Sequence, residues 1–150
     1  MSDKISNQDA SGKKSGAQSY HDLLVWQKGL VLAKEIYKLT AGFPSAEKFG
    51  LISQMRRAAV SVPSNIAEGQ ARNTPGEFAQ FISYAEGSLA ELDTQLTLAI
   101  ELAFVTSEKN RFSLDAVAEL RRMLNGLRRA ISVPKSSTYH PQLITHNYEA

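Results

Sequence analysis

The chain has 150 residues, 43% of them hydrophobic and 21% charged, which suits one domain with a sizeable core. A net charge of +2 is mildly basic and does not by itself indicate nucleic acid. There is no cysteine, so disulfides, thiol catalysis and cysteine-based metal sites are excluded, and no apolar run approaches the roughly 20 residues that cross a bilayer.

The first residues, MSDKISNQDASGKKSGAQS, are polar where an export signal would be apolar. A cytoplasmic, soluble protein with no membrane association is expected, with residues 1–19 a disordered tail. Lys13 and Lys14 there read as solvated charges or as weak anion contacts.

Asp22 is placed to cap a helix from Leu23 to about Thr40. Trp26, Leu30, Ala33 and Tyr37 recur at helical spacing, and Val25, Leu32, Ile36 and Leu39 widen the apolar stripe. Gly42-Phe43-Pro44 stops it. Ser45 then caps a second helix with Phe49, Ile52, Met55, Ala59, Val62 and Ile66 on its apolar face.

That second helix contains Pro63, which lacks a donor and sets its ring against the carbonyl of Ala59. The penalty, about 3 kcal/mol in an exposed helix interior, is tolerable where packing holds a bend. Small neighbours Ala58, Ala59 and Ser61 would admit another helix, and Ser64 or Asn65 can satisfy freed backbone groups. Arg57, Ser61, Ser64, Glu68 and Arg72 fall on one polar stripe. It reads either as a seam for a second subunit or an anionic ligand, or as a solvated face. Pro63, Ser64, Asn65 and Glu68 are therefore assigned a structural or interface role. Asn65 and Glu68 have no neighbouring histidine, second carboxylate or phosphate-cradling loop, so the stretch does not read as catalytic.

Thr74-Pro75-Gly76-Glu77 is the clearest boundary: an N-cap, a proline at the first helical position and a capping-box glutamate. From there Phe78, Phe81, Ile82, Ala85, Leu89, Leu92, Leu96, Ile100 and Ala103 predict a third helix to about Phe104, roughly 40 Å long. Thr106-Ser107 can cap a fourth, carrying Phe112, Leu114, Val117, Leu120, Leu124, Leu127 and Ile131, which Pro134 ends. No sustained alternating run appears. The expected fold is all-α, an antiparallel up-and-down four-helix bundle over 20–133, followed by a flexible tail over 134–150.

Charge is distributed unevenly. The third helix holds Glu77, Glu86, Glu91, Asp93 and Glu101 with no Lys or Arg, whereas the fourth holds Lys109, Arg111, Arg121, Arg122, Arg128 and Arg129 against Glu108, Asp115 and Glu119. These arginines either pair with carboxylates, complement the helix dipole near the C-terminus, or form a basic strip for phosphates. His21, His140 and His146 are too scattered to form a metal set. Trp26 reads as core, and Gly87-Ser88 as a point of close helix approach.

The segments DLLVWQKGLVLAKEIYKLT, FGLISQMRRAAVSVPSNIAEGQAR and EFAQFISYAEGSLAELDTQLTLAIEL together resemble the bacterial four-helix-bundle proteins encoded within 23S rRNA intervening sequences. The resemblance spans about residues 20–131 and is most specific in RRAAVSVPSNIAEG and GSLAEL. It implies a ring-shaped homopentamer. That family is similar to the accessory protein of diversity-generating retroelements, which binds nucleic acid and a reverse transcriptase through a basic surface. RNA or DNA, and a reverse-transcriptase-like or ribosomal partner, are thus the implied ligands. Arg56, Arg57 and Arg72 fall in the family's basic and polar motif and Lys28 in its first-helix motif. The fourth-helix arginines match no motif and enter on charge alone. The function expected is non-enzymatic binding of structured RNA or an RNA–protein complex; the alternative is a scaffold whose charged helices pair with other subunits or a partner protein.

Overall fold

The computed structural model describes Tyr20 and residues 23–132. Four α-helices account for nearly all of them: α1 Leu24–Thr40, α2 Leu51–Gln70, α3 Pro75–Glu101 and α4 Ser107–Ser132, with a short 3-10 turn at Ser45–Glu47. Consecutive helices pack on one another, and α4 returns to pack on α1, closing a four-helix bundle. The cross-links give the direction. Glu86 and Asp93 of α3 meet Arg128 and Arg121 of α4, so residue numbers climb on one helix as they fall on the other. The two expected tails lie outside the described residues.

The apolar stripes meet along the axis. Leu32 and Ile36 of α1, Met55, Val62 and Ile66 of α2, Ile82, Leu89, Leu92 and Leu96 of α3, and Val117, Leu120 and Leu124 of α4 are almost fully buried. Each such side chain contributes about 1.5–3 kcal/mol on leaving water, the main stabilisation of the bundle. One polar strut crosses this interior: buried Asn110 of α4 donates to the carbonyl of Leu96 on α3 at 3.0 Å.

Several boundaries fall where the sequence puts them. Thr74 Oγ1 accepts the Glu77 N–H at 3.2 Å and also donates to the Glu77 carboxylate at 3.0 Å, and Pro75 opens α3. Thr106 Oγ1 accepts the Lys109 N–H at 3.2 Å, capping α4.

Other expectations need correction. Leu23 occupies the N-cap of α1 without a side-chain cap bond; Asp22 lies outside the described residues. Ser45 does not cap α2. It opens the 3-10 turn, and α2 begins at Leu51 behind Gly50, where the Glu47 carboxylate accepts the Leu51 N–H at 3.0 Å. Phe49 therefore precedes the helix and leaves its stripe, standing 90% exposed. Phe112 is also exposed, on the outer edge of the α1–α4 seam. Trp26 is half-buried against the core.

The third helix stops at Glu101, short of Phe104. Ala103 adopts φ 58°, its N–H bonds the Ile100 carbonyl, and the Phe104 N–H bonds the Ala99 carbonyl, both at 2.9 Å. This is the Schellman arrangement, built on alanine where glycine is usual. Phe104 then turns inward against Phe43 of the α1–α2 connection, ring centroids 5.8 Å apart.

Candidate nucleic-acid interface

Pro63 does not divide α2, which runs unbroken from Leu51 to Gln70. The proline is buried against α1, where Gly29 supplies the space: a methyl on Gly29 would touch the Pro63 ring at 3.4 Å. Side chains bond neighbouring carbonyls, though none of these bonds reaches the Ala59 carbonyl that Pro63 leaves without its helical donor. Ser61 donates to Ala58, Ser64 to Val60 and Asn65 to Ser61, at 2.6, 2.8 and 2.8 Å. Ser61 Oγ also lies 2.6 Å from Ser88 Oγ on α3, a hydroxyl–hydroxyl hydrogen bond. Ser88 therefore lies at a helix contact, whereas Gly87 faces open space and permits no approach within the chain.

The cations divide into engaged and free. Lys28 pairs with Glu119 across the α1–α4 seam. Arg56 is anchored to α1: its Nε donates to Thr40 Oγ1 at 2.9 Å, its Nη2 to the Tyr37 carbonyl at 3.2 Å, and its guanidinium lies over the Tyr37 ring. Arg72 pairs with Glu68 at 3.1 Å and lies over Phe81. Arg121 faces Asp93 at 3.8 Å, and Arg128 is held between the Glu86 carboxylate and Asn125.

Arg57, Arg122 and Arg129 are exposed and have no ion-pair partner among the described residues. Arg111, a fourth-helix cation not among the expected binding residues, joins them. It precedes Arg122 by three helical turns, a spacing visible in the sequence, so Arg111, Arg122 and Arg129 line one outward ridge of α4. The ridge is about 27 Å long at 1.5 Å per residue. Asp115 is an exposed carboxylate on it, between Arg111 and Arg122. Lys34 and Lys38 are exposed on neighbouring α1. The structure does not bring Arg57 to the ridge, because α2 and α4 stand diagonally across the bundle.

A family model described as 23S rRNA-intervening sequence protein matches residues 21–126, from the start of α1 well into α4. The chain belongs to the 23S rRNA-intervening sequence protein family. Its fold is similar to a crystal structure from Bacteroides thetaiotaomicron VPI-5482, of a protein with unknown function from the S23 ribosomal protein family. Identity is 22%, the TM-score is 0.65, and the match covers 71% of this chain and 99% of that one. No curated protein matches the sequence.

The stretch RRAAVSVPSNIAEG occupies α2 from Arg56 to Gly69, and much of it is structural: Arg56 ties α2 to α1, Pro63 seats on Gly29, and Gly69 meets α3. No enzymatic site is evident among the described residues of this family member, and no three of its His, Asp or Glu residues converge as a metal site. The three histidines lie outside them. None of its described helices is long and apolar enough to cross a membrane.

Proposed function

We propose that this protein is a non-enzymatic homo-oligomer, a closed ring such as a pentamer, that binds nucleic acid through clustered arginines. Structured RNA or an RNA–protein complex is the ligand class. The observation that carries the reading is the α4 ridge: Arg111, Arg122 and Arg129 point outward without carboxylate partners among the described residues, while the other α4 arginines are paired. Three guanidinium groups per copy give a modest footprint. Copies arranged about an axis multiply it and bring Arg57, remote from the ridge within one chain, into the same assembly.

Counterion release makes the test quantitative. Affinity for labelled RNA, read by fluorescence polarisation between about 50 and 200 mM salt, falls steeply, and each phosphate contact removed flattens the logarithmic slope by about 1. Arg122→Ala with Arg129→Ala weakens binding and flattens the slope; Arg121→Ala, whose guanidinium faces Asp93, does so far less. Equal effects from paired and free arginines, or no binding at low salt, refute the proposal.

The scaffold reading retains one specific support. Glu91 and Glu101 of α3 are exposed and have no cation partner among the described residues, which suits a basic partner surface. Arg57→Glu separates the two readings without disturbing the Arg56 anchor. Lost RNA binding with an intact assembly favours nucleic acid; a dissociated assembly favours the scaffold.

A further inference from the structure

Phe49 is the most exposed large apolar side chain of the described residues, at 90%, where the next reach 54%. It is not on a loose loop. The Lys48 N–H bonds the Ser45 carbonyl, the Gly50 N–H bonds the Glu47 carbonyl, and the Glu47 carboxylate takes the Leu51 N–H, all within 3.1 Å. The backbone is thus bonded on both sides of a ring that projects into solvent.

Its surroundings are cationic. The Lys48 ammonium lies over the Phe49 ring, 5.6 Å from its centroid. About 8 Å along α2 from Leu51, Arg56 lies over half-exposed Tyr37, 4.6 Å from the centroid. Exposed Lys38, in the last turn of α1, and exposed Arg57 flank the same end of the bundle without ion-pair partners among the described residues. The Glu47 carboxylate, two residues before Phe49, accepts the Leu51 N–H at the helix start. A partner protein docking on an isolated aromatic would favour apolar neighbours; here the ring is set among positive charges.

We propose that Phe49, with Lys48 and the Arg56–Tyr37 pair at the same end of the bundle, is a stacking platform for an unpaired nucleobase. The ring takes the base and the surrounding cations take its phosphates. A duplex keeps its base faces covered, so the nucleic acid must be single-stranded, looped or bulged where it meets the α1–α2 connection. This inference rests on the nucleic-acid reading above and adds the ligand's form to it.

The test compares the full chain with Phe49→Ala and Phe49→Trp, measuring polarisation of labelled oligouridylate and of an RNA duplex of equal length over a salt series. Native mass is recorded for each variant. Oligouridylate should bind more tightly than duplex. Phe49→Ala should weaken oligouridylate binding roughly 5- to 100-fold with an unchanged salt slope, because no charge is removed, and Phe49→Trp should retain it. Duplex affinity and native mass should not change. Parental affinity in Phe49→Ala overturns the platform while leaving the arginine reading intact. A changed native mass in Phe49→Ala assigns the ring to a protein contact and also overturns it. Failure of the parent to bind either RNA overturns both readings.

Discussion

A methyl group on Gly69 would sit 2.6 Å from Phe81 Cβ and 3.0 Å from Phe78 Cδ2, so the end of α2 meets the start of α3 across bare backbone. Phe81 Cβ cannot retreat without moving α3 itself. Gly69→Ala should therefore lower stability by about 1–3 kcal/mol despite alanine's better helix propensity, read as an earlier urea midpoint. Ala103 presents the opposite case. At φ 58° its Cβ crowds the backbone, at a cost of about 1–2 kcal/mol that glycine avoids. Ala103→Gly should raise stability by about 1 kcal/mol after the added freedom of the unfolded chain is deducted, visible as a higher melting temperature. Neither feature was legible in the sequence. Gly69 looked like part of a polar motif, and an alanine at a left-handed position gives no signal, so the apolar period seemed to run on to Phe104.

Pro63 and Gly29 form one joint between α2 and α1, a proline ring facing a residue without a side chain. A single methyl at Gly29 fits in ordinary contact, but a branched side chain does not. Gly29→Val should cost about 1–3 kcal/mol in the parent and measurably less in a Pro63→Ala background. A double-mutant cycle from denaturant melts should give a coupling of about 0.5–3 kcal/mol; additive losses would show that the two residues do not share the strain. Element boundaries were readable where local chemistry is strong, as at Thr74-Pro75 and Thr106. They were misread at α2 because Phe49 stands three residues before Ile52, in helical period, although the chain there is still turning through Glu47 and Gly50. Gly29 went unnoticed because the partner demanding it lies 34 residues away in sequence.

At the scale of the molecule, the bundle was legible from four periodic stripes, but the fate of its charges was not. Opposite charges separated by tens of residues pair only once helices are registered, as with Lys28 and Glu119 or Glu86 and Arg128. These pairs are partly solvent-exposed, and each contributes on the order of 0–1 kcal/mol. Salt should thus act differently on folding and on binding. Raising sodium chloride from about 0.05 to 0.2 M should move the melting temperature by only a few degrees while RNA affinity falls by an order of magnitude or more. A melting temperature that collapses with salt would make the ion pairs the main support of the fold.

The partition of charge among the helices has an electrical consequence. Five carboxylates and no basic residue lie on α3, while six basic residues face three carboxylates on α4 and three face one on α1. Such a body carries a dipole across its width that its net charge of +2 conceals. In a gradient of potential it turns before it translates, meeting a polyanion with α4 and a polycation with α3. Near neutral pH it should accordingly be retarded on both cation- and anion-exchange resins, by opposite flanks.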